Sequence, residues 1–147
     1  MKKILIIIFV ILSISFGKIQ NEEFKLEVTK VDTRNLENVV VTLKLKNNSS
    51  RTIEYLNMTC SYNIFFLTDN EEVVIIDKPC DKNIPVVLEL ESKSSVKMKI
   101  NLKCKTLKKT NFKIGFKLTE MPKKIQMKND KTATFKHITV WTEKIDL

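Results

Sequence analysis

Glycine is almost missing from this chain, with only Gly17 and Gly115 among its 147 residues. That rules out a Gly-rich loop able to cradle a phosphate, and it leaves the turns to Asn, Asp and Ser. Histidine is represented by His137 alone, and the three cysteines, Cys60, Cys80 and Cys104, have no Cys-x-x-Cys spacing. Neither the ligand sets of structural zinc nor an aspartate-rich calcium loop can be assembled from this inventory. No serine lies in a Gly-x-Ser-x-Gly context, so the commonest nucleophile elbow is excluded as well. Arginine is limited to Arg34 and Arg51, which is poor equipment for the bidentate contacts that read phosphates and base edges. No apolar run reaches the roughly 18 residues of a membrane helix.

The cluster Met1-Lys2-Lys3, the largely apolar run from Ile4 to Ile14, and Ser15-Phe16-Gly17 form a cleavable export signal in outline. Lysines supply the positive segment, the apolar run is too short to span a bilayer, and Ser15 and Gly17 are small residues at the cleavage subsites. Cleavage is expected before Lys18, leaving residues 18–147 as a single domain. No cysteine follows the apolar run, so a lipid anchor is not expected. The destination is the periplasm, the cell surface or the extracellular medium. Taking Lys2 and Lys3 from the 26 basic residues leaves 24 against 17 acidic ones, a mature charge of about +7. In a disulfide-permissive compartment three cysteines imply one bridge and one thiol. Spacing leaves three pairings open. Cys104 closes the apolar series Val96, Met98, Ile100, Leu102 and so reads as a small core hydrophobe, which favours a bridge between Cys60 and Cys80.

Strict alternation of apolar and polar residues recurs along the chain. Val39, Val41, Leu43 and Leu45 interleave with Val40, Thr42, Lys44 and Lys46, the signature of a half-buried strand. The same period appears at Phe24 to Val28, at Val96 to Leu102 and at Phe112 to Leu118. Further strands are expected over Leu56–Phe66, Val73–Ile76, Val86–Leu90 and Phe135–Ile145. Turn chemistry separates them at Asn47-Asn48-Ser49-Ser50, Thr68-Asp69-Asn70, Lys78–Pro85, Ser92–Ser95 and Met121–Lys131. Seven or eight short strands at this spacing predict an all-β fold, an immunoglobulin-like antiparallel β-sandwich. A closed barrel is compatible with the same pattern.

Candidate binding residues follow from strand parity. Lys44, Lys46, Lys97 and Lys99 lie outward on two strongly alternating strands, and if those strands are neighbours they form an anion-binding face. The competing reading is that exposed lysines keep a sheet soluble and deter edge pairing. Tyr55, Tyr62, Phe65 and Phe66 are either an aromatic patch or, more simply, core. Met58, Cys60 and Met98 contain copper(I) ligand chemistry, but Met58 and Met98 read as inward packing residues. The carboxylates Glu22-Glu23, Glu71-Glu72, Glu89 and Glu91 sit at strand ends or on outward parity, as solvated charges do. His137 reads as a structural histidine on a sheet face, and Gly115 as the site of a bulge or a close strand contact. The sequons at Asn47, Asn48 and Asn57 read as turn and strand polarity.

The block Leu43 to Leu56, followed by Tyr62–Asn70 and Asp81–Pro85, resembles the strand, Asn/Ser turn, strand layout of exported bacterial immunoglobulin-like proteins. More loosely, Phe66 and Asp69 after the Asn-Ser turn are similar to the pattern of BsuPI-type proteinase-inhibitor domains; the export signal and the cysteines depart from it. The resemblance implies a sandwich and carries over no functional residue. The expected function is an exported, non-catalytic interaction module without a cofactor or metal. It would bind a protein or an anionic glycan or lipid head group, not nucleic acid, through loops, a sheet edge or the lysine face. Inhibition of a secreted or host protease by the loop Lys78–Pro85 is the alternative.

Overall fold

A computed structural model describes residues 23–35, 37–77, 79–106, 110–122 and 134–147. The export signal, Lys78 and the greater part of the loop expected over Met121–Lys131 lie outside the described residues. Two antiparallel sheets pack face to face in an immunoglobulin-like sandwich. One has the strand order β1 (Phe24–Asp32), β2 (Val39–Asn47), β7 (Ser95–Cys104), β5 (Val73–Ile75). The other runs β10 (Lys136–Trp141), β9 (Ile114–Glu120), β3 (Ile53–Met58), β6 (Pro85–Leu90), and β4 (Phe66–Thr68) also pairs with β9. A short ladder joins β8 (Asn111–Phe112) to β11 (Ile145–Asp146).

The alternating residues supply the core. Val39, Val41, Leu43 and Leu45 are fully buried on β2, and Ile100, Leu102 and Cys104 on β7, because a strand of period two sends alternate side chains to one face. From the other sheet Ile53, Tyr55, Ile114, Phe116 and Leu118 meet them. The Phe116 ring is central, with Tyr55, Phe65 and Phe66 at centroid distances of 6.5, 6.4 and 4.9 Å. Tyr55 and Phe66 are therefore core residues and Tyr62 and Phe65 pack half-buried against the core, so the aromatic-patch reading is replaced by packing.

Four sequence expectations need correction. The stretch Leu56–Phe66 is not one strand: β3 ends at Met58, a 3-10 turn covers Tyr62–Phe65, and β4 resumes at Phe66. A disulfide between Cys60 and Cys80, with Cα atoms 6.1 Å apart, holds the interruption in place. Likewise Phe135–Ile145 divides into β10 and β11, and the run Phe112–Leu118 into β8 and β9 with a break at Lys113. Met58 lies on the parity opposite to the buried Ile53 and Tyr55 and faces outward, half-buried. Its inward assignment ignored the start of β3, where the hydrophobic parity is set.

Asn47 knots one end of the sandwich. Its side chain is 1% exposed, and Nδ2 donates to the carbonyls of Arg51, Leu90 and Glu91 at 2.8, 3.1 and 3.0 Å. Its Oδ1 accepts from the Ser49 amide and hydroxyl at 3.0 and 2.6 Å. The Asn/Ser turn after β2 is thereby tied to the corner between β6 and β7. Beside it Arg51 pairs with Glu120 and with Glu23.

Candidate functional site

Antiparallel register decides whether the four lysines form a face. β2 and β7 are neighbours, Lys44 lies directly across from Lys97, Lys46 across from Ser95 and Lys99 across from Thr42. Opposed Cβ atoms in such a ladder are about 4.5–5.5 Å apart, and next-but-one residues on one strand are about 7 Å apart. The predicted residues are therefore brought together as a grid of ammonium groups. β1 extends it with Lys25 and Lys30, and β7 with Lys103, all on the same outer parity. The acidic side chains of that face are Glu27 and, at its far end, Asp32.

Both carboxylates are already engaged. Glu27 accepts hydrogen bonds from Lys46 at 2.8 Å and pairs with Lys25 at 3.2 Å. The Lys46 hydrogen bond, reinforced by Lys25, holds the Glu27 carboxyl below its ordinary range. Asp32 is gripped by the Arg34 guanidinium at 2.6–3.1 Å, and that hydrogen bonding lowers its pKa to about 2. Lys46 is thus partly neutralised. Among the described residues, Lys44, Lys97 and Lys99 have no carboxylate partner within salt-bridge distance. Like charges directly opposed on a ladder are unfavourable; Lys44 has Lys97 across from it on β7 and Glu27 across from it on β1. Arg34 and Arg51 are both committed to carboxylates, which leaves recognition on this face to lysine.

Other candidate residues are dispersed. His137 is exposed on β10 and its Nδ1 lies 3.1 Å from Thr119 Oγ1. Cys60 is consumed by the disulfide, so it supplies no thiolate beside Met58 or Met98. Cys104 is buried, and burial pushes its thiol pKa up. Among the described residues no three His, Cys, Asp or Glu side chains group as metal ligands, and no helix is long and apolar enough to cross a membrane.

One feature escaped the sequence reading. A cleft of about 580 Å3 opens between β1 and the β10–β11 segment, with Leu26, Val28, Trp141 and Ile145 among its lining and Lys113, Lys144 and Glu143 around it. Trp141 is paired with Gly115 in the β9–β10 register, and a Cβ at Gly115 would meet the indole Cε3 and Cζ3 at 3.0 Å. The ring lies over the one strand position with no side chain. A glycine on outward parity opposite a late aromatic was the available signal, since aromatic side chains cover strand glycines.

No protein-family model matches the chain, and no curated protein matches it.

Proposed function

We propose that the protein is an exported, non-catalytic interaction module that captures an anionic partner across the outer face of its four-stranded sheet. The observation that supports this reading most is the register that opposes Lys44 to Lys97, with Lys99 next on the same strand face and, among the described residues, no carboxylate within salt-bridge distance of the three. A partner bearing repeated negative charges gains Coulomb attraction and removes the lysine–lysine repulsion at the same time. Replacing Lys44, Lys46, Lys97 and Lys99 together with Ser is expected to weaken retention on an immobilised heparin-type polyanion and to flatten the salt dependence of binding. Retention unchanged by the four substitutions would sink the reading.

A second reading has its own observation. The segment leading into β6 is cross-linked through Cys80, its Lys82 carbonyl accepts from Thr59 Oγ1 at 3.0 Å, and Asn83 Oδ1 accepts from the Ser61 amide at 3.2 Å. Ile84 is 58% exposed at the end of this braced loop. A pre-ordered loop with an exposed apolar side chain loses little entropy on entering a protease cleft, as an inhibitor requires. Stoichiometric inhibition in a panel of secreted proteases, lost in Ile84→Asp, is the outcome that would favour it.

A further inference from the structure

β7 is ten residues long but β5 covers only its last part, pairing Val73 to Ile75 with Cys104 to Leu102. The Ile76 amide makes the last contact on that line, to the Asn101 carbonyl at 2.8 Å. Beyond it, among the described residues, no strand flanks Ser95–Lys99 on the side away from β2. Ladder groups alternate in direction, so the outward aim of the Asn101 carbonyl fixes that of Lys99, Lys97 and Ser95. The Lys99 carbonyl confirms the direction, accepting the Tyr62 hydroxyl at 2.6 Å. The main-chain groups of Lys97 and Ser95 and the Lys99 amide remain as an open edge.

The facing sheet bears the mark of the same missing strand. On β6, Leu88 and Leu90 share the inward parity, opposite Tyr55 and Ile53, yet Leu90 is 3% exposed and Leu88 is 38% exposed. Val86, Val96 and Met98 on the two inner faces are likewise only half-buried. A strand continuing the line of β5 would cover them. The competing edge on β6 is guarded by Pro85, which has no amide hydrogen, and by Glu89.

We infer that the partner is an extended acidic protein segment that adds antiparallel to Ser95–Lys99, acidic side chains over the lysine face and apolar ones between the sheets. This rests on the lysine-face reading and names the partner and its geometry. Lysines on an edge repel basic strands and lose hydration beside apolar ones, and the same charges select an acidic one. The antiparallel arrangement carries a consequence specific to it. Residues that exchange both hydrogen bonds point their side chains to the same face, so the partner residue facing Lys97 offers its own amide and carbonyl and an outward side chain. The acidic residues, not the apolar ones, must therefore donate the main-chain bonds.

The test uses the folded protein and end-blocked peptides alternating glutamate with valine, with affinities read by titration calorimetry or fluorescence anisotropy. Methylating the glutamate amides is expected to weaken binding by about tenfold or more, whereas methylating the valine amides leaves it near that of the parent peptide. Lys97→Ser with Lys99→Ser should weaken the parent peptide and reduce its salt dependence. Equal affinity of the two methylated peptides would overturn strand addition while leaving the lysine face intact. Binding of heparin-type polyanion with no binding of any peptide would overturn the choice of partner alone. If neither polyanion nor peptide binds, the face reading fails and this inference with it.

Discussion

At the residue scale, the side chain with most at stake is Asn47, which donates to three main-chain carbonyls, one of them buried, and accepts two hydrogen bonds within its own turn. Asn47→Ala removes these bonds, while the Arg51 carbonyl keeps the Ser49 hydroxyl and the Glu91 carbonyl keeps the Ser94 amide and hydroxyl, and a loss of about 1–3 kcal/mol is expected in urea denaturation. Gly115→Ala places a methyl 3.0 Å from the Trp141 ring and 3.1 Å from Leu67 Cδ2. Because Trp141 is 40% exposed on a terminal strand, the indole can be pushed outward. A cost of about 1–2 kcal/mol with a shift in tryptophan emission is expected. The two residues differ in how far sequence revealed them. Asn47 was legible as a turn former from its Asn/Ser context, but its bridging of β2 to the β6–β7 corner depends on contacts more than forty positions away. Gly115 was legible as a close contact because only steric crowding or a bulge explains glycine on an otherwise regular strand.

At the element scale, alternation located the strands that are half-buried and failed where a strand is broken for reasons unrelated to hydrophobicity. β2 and β7 were legible in their full period because each has one face on the core, and β9 from Ile114 onward, the alternating run from Phe112 being divided at Lys113 into β8 and β9. The interruption between β3 and β4 was hidden, since Tyr62, Phe65 and Phe66 continue the apolar composition while the chain turns through a 3-10 segment. The disulfide holds that turn to the loop before β6 across a sequence separation of 20. Cys60→Ser with Cys80→Ser releases it in the unfolded chain as well, and a stability loss of about 3 kcal/mol is expected by chemical denaturation. The β6–β7 corner contains Lys93 at φ 57°, a conformation that costs a side-chain-bearing residue free energy and a glycine little. Lys93→Gly is expected to raise the thermal midpoint, even with loss of the hydrogen bond from Lys93 Nζ to the Asn48 carbonyl. The lysine face itself was legible as parity on two strands. Its existence as one surface depended on β2 and β7 being neighbours although β3, β4, β5 and β6 lie between them in the chain.

At the scale of the whole molecule, the carboxylates of Glu23, Glu27 and Asp32 are held below their ordinary values by hydrogen bonds from Arg51, Lys46 and Arg34 respectively. A depressed folded-state pKa means that the unfolded chain binds these protons more tightly. The associated stability is present above the ordinary carboxylate range and is lost as pH falls through it toward about 2, where Asp32 protonates. The urea midpoint is therefore expected to be lower at pH 3 than at pH 7, with a smaller difference in Arg51→Gln, which gives up the pair with Glu23. The buried thiol of Cys104 has a different kind of consequence, one of timing. Once β7 is seated the thiol is shielded from exchange, but in the reduced, unfolded chain it competes with Cys60 for Cys80 on equal chemical terms. Docking of β7 before oxidation is expected to leave the native bridge, whereas earlier oxidation is expected to yield also bridges to Cys104 that hold the seventh strand outside the core. The yield of oxidative refolding thus records a race between strand docking and thiol chemistry, and Cys104→Ala removes one runner.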